Sequence, residues 1–192
     1  MEALQELLTE ELQDLLHAEN QLVKALPKMA KAAHAAELKE AFSNHLKQTQ
    51  EHVERLKRAF GILEVKAKAK PCKGMVGLIE EGQEVITEGK GKDAEIADLA
   101  LIAAAQKVEH YEISGYGTLR TIAERLGQDE VAQLLAETLE EEKKADELLT
   151  SVAQSPLEST SESADEEGGE SEEMSSTPPR SRSTTAKKKA HA

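Results

Sequence analysis

Four stretches of this sequence carry apolar residues at alternating steps of three and four, the spacing that lines side chains along one stripe of an α-helix. The first stripe is Leu8, Leu12, Leu15, Glu19, Leu22, Leu26, and the second is Leu38, Phe42, His45, Thr49, His52, Leu56, Ala59, Leu63. A third runs Ile102, Ala105, Glu109, Glu112, Tyr116, Leu119, Ala123, Leu126, and a fourth Val131, Leu135, Thr138, Glu142, Ala145, Leu149, Val152. Helices with one apolar stripe bury it against each other, so the pattern demands an all-α bundle. Composition agrees, because aromatic residues make up 2% of the 192 positions and Trp is absent. Sandwiches and barrels lean on aromatic and β-branched residues, whereas Leu, Ile, Val and Ala suffice for a helical seam.

Loop signals divide the first ~153 residues. Pro71 and Gly74 mark one break, Gly89-Lys90-Gly91 a second, Gly127-Gln128-Asp129 a third, and Ala35-Ala36 a softer one. Helices are expected at about 3–33, 37–63, 75–88, 93–126 and 129–153. Pro27 should either kink the first helix or end its regular part early. Four of the five are long enough, at ~1.5 Å per residue, to span a bundle. The short helix then belongs to a crossover between two long hairpins, the connectivity of ferritin-like four-helix bundles.

All four stripes turn polar near mid-height. Antiparallel packing would bring Glu19, His45, His52, Glu109, Glu112 and Glu142 into one layer. Four carboxylates and two imidazoles away from water cannot stay as isolated charges, because an unpaired buried carboxylate costs several kcal/mol or more. Cations would resolve the conflict, and a carboxylate-rich set with one or two imidazoles suits iron or manganese. Oxygen ligands of high charge favour Fe(III) over Fe(II), which points to oxidation of the bound metal. A metal-free polar layer that merely fixes helix register is the competing reading. Tyr116 on the same stripe reads first as a core tyrosine, and second as a hydrogen-bond partner of a ligand or an electron carrier.

The remaining features mainly exclude. A net charge of −13 sets most of the surface against nucleic acid. The single cysteine, Cys72, rules out an intramolecular disulfide framework and a thiolate zinc cluster, and it reads as a small loop residue without a role. The acidic start MEALQELLTEELQD is no signal peptide, and no apolar run of membrane-spanning length follows, so a cytoplasmic protein with no membrane partner is expected. From about 154 to 192 Ser, Thr, Glu and Pro dominate, which predicts a disordered tail. Its acidic stretch from Glu158 to Glu173 precedes a basic end with Arg180, Arg182, Lys187, Lys188 and Lys189. Weak nucleic-acid contact is expected, if anywhere, through that end.

Five blocks in order carry a family resemblance: ELQDLLHAENQLVKALPKMAKAA, HLKQTQEHVERL, CKGMVGLIEEGQEVI, AAQKVEHYEISGYGTL and LLAETLEEEKKAD. Together they resemble the YciE/YciF family of ferritin-like bacterial stress proteins over about 1–150. The resemblance implies a five-helix ferritin-like fold, a homodimer and a dimetal centre with a ferroxidase role, oxidising Fe(II) with dioxygen or peroxide. Its rival is a non-catalytic structural protein of the stress response. The ferritin-like ligand pattern is one Glu from each of two helices and Glu-x-x-His from each of the other two. Glu19 and Glu112 match the single carboxylates, His52 the histidine of the second helix and Glu142 the glutamate of the last. Thr49 and Ala145 depart from it, standing where a glutamate and a histidine are expected. Glu109 and His45 are the candidates to restore the ligand count, with Asp146, just off the stripe, a weaker one.

Overall fold

The computed structural model describes residues 1–154. Five helices follow in order: α1 Glu2–Ala32, α2 Ala36–Ile62, α3 Lys73–Gly89, α4 Ala94–Arg125 and α5 Asp129–Val152. Each lies within two residues of its expected bounds. The segment expected to be a disordered tail with a basic end lies outside the described residues.

Short turns at 33–35 and 126–128 fold α1 back on α2 and α4 back on α5. The second turn is made by Gly127, whose φ of 70° lies in the left-handed region that glycine enters without steric cost. The two hairpins pack so that α1 touches α2 and α4, while α5 touches α4 and α2; α3 lies outside this ring, against α4 and α1. Antiparallel pairing across the hairpins is fixed by cross-links at several heights. Asp98 near the start of α4 accepts the backbone N–H groups of His34 and Ala35 at 2.8 and 2.7 Å, holding the first turn on the second hairpin. Lower down, the Tyr111 hydroxyl of α4 donates to Asp14 of α1 at 2.8 Å.

The crossover is held by the same tyrosine. Cys72, buried at the start of α3, accepts the N–H of Met75 and lies 2.9 Å from the Tyr111 oxygen. Because Tyr111 spends its proton on Asp14, the thiol is the donor in that contact. Cys72 thus has a structural place as a helix cap, with burial the largest cause raising its thiol pKa. Gly74 is required one turn on, since a Cβ there would meet the Tyr111 ring at 2.8 Å.

Proline 27 does not end α1, which continues to Ala32. The ring removes one intrahelical bond, but Leu22, Leu26 and Met29 on either side of it are buried, and their packing outweighs the local penalty. The stripes face inward as the spacing requires. They form two apolar clusters, one around Leu8, Leu12, Phe60, Leu119 and Leu135, the other around Leu26, Leu38, Phe42, Ile102 and Leu149. Between them lies the polar layer.

Candidate metal centre

Glu19, His45, His52, Glu109, Glu112 and Glu142 are all buried, and the fold brings all six together. They form two groups. His45, Glu109, Glu112 and Glu142 make one; Glu19, His52 and Glu142 make the other; within each, one ligand atom per residue lies within 4.8 Å of every other. Glu142 belongs to both.

The distances show what the groups do and do not satisfy among themselves. His52 Nδ1 is 2.9 Å from Glu142 Oε1 and 3.4 Å from Glu19 Oε1. His45 Nε2 is 3.5 Å from Glu109 Oε1 and 3.6 Å from Glu142 Oε2. These are close approaches without hydrogen-bond alignment. Glu19 Oε2, His45 Nε2, His52 Nδ1, Glu109 Oε2 and both oxygens of Glu112 and Glu142 consequently stand without a partner. Buried polar atoms are nearly always paired in a native fold, so eight orphans in one layer mark a site shaped for something else.

Electrostatics agree. Burial pushes all four carboxyl pKa values up: Glu109 to about 8, Glu112 well above the ordinary range, and Glu19 and Glu142 in the same direction. Burial alone would lower His52, but Glu142 and Glu19 override it and raise the ring to about 10. Even two protonated imidazoles leave two negative charges when all four glutamates ionise. Two divalent cations would balance four carboxylates with both imidazoles neutral. Ligands about 2.1 Å from a central ion are at most about 4.2 Å apart, so each group needs only a small contraction to hold one.

An outer set of residues positions the ligands. His52 Nε2 lies 2.8 Å from Glu141 Oε2, which holds a proton on Nε2 and leaves Nδ1, facing the layer, as the nitrogen that gives up its proton when an ion binds. Arg55 clamps Glu141 through two bonds, at 2.6 and 2.8 Å, and reaches Thr138 at 3.2 Å. Burial would raise Glu141, yet Arg55 and His52 hold it below the usual carboxylate range. Tyr116 is buried in the apolar core as its first reading expects, and its hydroxyl also donates to Glu19 Oε1, the contact with a candidate ligand that the second reading names. Neither Glu141 nor Arg55 lies on the apolar stripes, and spacing alone passes over both; the cue was an arginine one turn from His52 and a second glutamate beside Glu142.

The departures are also explained. Thr49 is buried and turns its hydroxyl back to the His45 carbonyl at 2.9 Å, contributing no ligand. Ala145 is half-buried, and its methyl group offers no ligand. Asp146 faces outward, accepting from Gln106 at 2.9 Å, and is not among the grouped residues.

A family described as a domain of unknown function, DUF892, matches residues 3–162. Protein YciF of Escherichia coli K12 is 47% identical over 154 residues, covering 80% of this chain and 92% of that protein. The crystal structure of the E. coli stress protein YciF matches with a TM-score of 0.78 at 45% identity, covering 82% of this chain and 99% of that one. The structure of YcfI from Rhodopseudomonas palustris matches with a TM-score of 0.73 at 41% identity, over 77% and 92% of the two chains. Matched over most of its length by this family and by these relatives, the chain belongs to the DUF892 family and to the YciF-like stress proteins that its sequence blocks resemble.

Proposed function

We propose that this protein holds a pair of iron or manganese ions across the polar layer and acts as a ferroxidase-type oxidoreductase, converting Fe(II) to Fe(III) with dioxygen or peroxide. The observation that carries the reading is the set of eight unpartnered ligand atoms, on four helices, in two groups that share Glu142. Bound ions of this kind supply one-electron redox chemistry. The chain's part is to bind and to exclude water. Glu19, Glu109, Glu112 and Glu142 provide charge that favours the ferric state of the substrate iron. His52 offers Nδ1 because Glu141 holds its proton on Nε2. Tyr116 fixes one oxygen of Glu19 and leaves the other for an ion.

The test is anaerobic Fe(II) titration followed by air, read by optical spectroscopy and metal analysis. Stoichiometric uptake and a ferric absorption band after air support the reading; neither appearing refutes it. A non-catalytic structural role finds its support in the Arg55-Glu141-His52 network, which would also set the register of α2 against α5. Metal content after purification without added metal separates the two. A homodimer, implied by the family resemblance, would draw little on the alanine-rich stretch of α4: Leu101, Ile102, Ala104 and Ala105 are buried within the chain. Among the described residues no helix is long and apolar enough to cross a membrane.

A further inference from the structure

We propose that the two ligand groups are unequal: Glu19, His52 and Glu142 form a closed subsite that retains its ion, while His45, Glu109 and Glu112, sharing Glu142, form an open subsite whose ion exchanges with solvent. The inference rests on the metal-centre reading above and adds which side chains hold the resident ion and which the transient one.

Three observations carry it. The first is exposure. Glu19, His52, Glu112 and Glu142 are 0% exposed, whereas His45 and Glu109 retain 7% and 3%. The second is how firmly each group is held. His52 is fixed by Glu141, itself clamped by Arg55, and Glu19 is fixed by Tyr116. The outer nitrogen of His45 has only Gln48 Oε1, at 3.4 Å, a long and weak contact. A ligand whose far side is anchored swings away from an ion less readily than one whose far side is loose.

The third observation is access. Two cavities reach the layer, and both are lined by the same pair, His45 and Glu109. One, of about 50 Å³, opens between α1, α3 and α4 past Leu22, Met29 and Ala105. The other, of about 110 Å³, opens between α2, α4 and α5 past Asn44, Gln48 and Ala145. Ala145 occupies the place where the ferritin-like pattern puts a histidine. Its small side chain leaves open a passage that an imidazole would fill. The departure from the pattern and the openness of one subsite are therefore the same feature.

The test uses the full chain saturated with Mn(II), which decouples binding from oxidation, and follows release into excess chelator by electron paramagnetic resonance. Release should be biphasic, one ion leaving faster than the other by at least about tenfold, the scale that outer partners of metal ligands confer. His45→Ala should abolish the fast phase and keep the slow one. His52→Ala should abolish the slow phase; should that variant not fold, Glu141→Ala, at the outer edge, should convert the slow phase into a fast one. Release of two ions in a single phase, or loss of the slow phase in His45→Ala, overturns the inequality and leaves the metal-centre reading intact. Failure of the unaltered protein to bind Mn(II) stoichiometrically overturns both.

Discussion

Replacing Glu112 with leucine should stabilise the metal-free protein. Glu112 is fully buried, neither of its oxygens has a partner, and burial together with Glu19, Glu142 and Glu109 drives its pKa well up. A buried polar group without a partner costs ~1–3 kcal/mol, a cost that an apolar side chain of similar volume removes. We expect a gain of about 1–3 kcal/mol for Glu112→Leu, or roughly 3–10 °C in melting temperature for a domain of this size. The measurement is thermal unfolding by circular dichroism in excess chelator. Saturating Mn(II) should narrow the gap, since each site gains ~2.7 kcal/mol at a hundredfold excess over Kd and the variant has lost a ligand of one of its two sites. Glu112→Gln is the control: it keeps the shape and an unpaired polar group, and should gain little. A Glu112→Leu protein that melts below the unaltered one in chelator would refute the account of the layer as an unsatisfied liability.

Three further outcomes follow from the same geometry. Metal-free stability should fall as pH rises from about 5 to 9. Raised carboxyl pKa values contribute stability that is present below the unfolded value near 4.5 and lost on rising through the folded values, about 8 for Glu109. His52, raised to about 10, loses its share between about 6.5 and 10, and chelated melts across this range that stay flat would contradict both. Glu141→Ala should weaken metal binding by about 10–100-fold with helix content unchanged, as measured by calorimetric titration; Arg55→Ala should act in the same direction through Glu141. Finally, Glu142→Ala and His52→Ala should each reduce iron uptake and ferric formation, while Glu54→Ala, exposed and paired with Lys57 at 2.7 Å, behaves as the unaltered protein does.

The fold was legible because the stripes are long and three of the four breaks carry a glycine or proline, the softer one at Ala35-Ala36 being the exception. The polar layer was legible for the same reason: a carboxylate on an apolar stripe is a local violation that spacing exposes, and four such violations at one height identify a layer. What periodicity cannot see is a contact between residues off the stripe on different helices. Arg55 and Glu141 belong to that class, as does the Cys72-Tyr111-Asp14 chain, whose members lie on three separate elements. Pro27, expected either to kink α1 or to end its regular part early, does not end it, because buried neighbours on both sides hold the helix together. The pattern departures at Thr49 and Ala145 were visible in the sequence, but only the cavity beside Ala145 gives the second one a consequence.

The division of the core by the polar layer bears on how long a copy of this protein lasts in a cell. Each long helix is gripped by an apolar cluster at either end and crosses a weakly cohesive waist between them. Without an ion at the waist, one end can open while the other stays packed, and such partial opening is what proteases sample. Ions bridging four helices at that height would make the two ends rise and fall together. Degradation would then act as a quality filter, removing copies that failed to capture metal and sparing those that did.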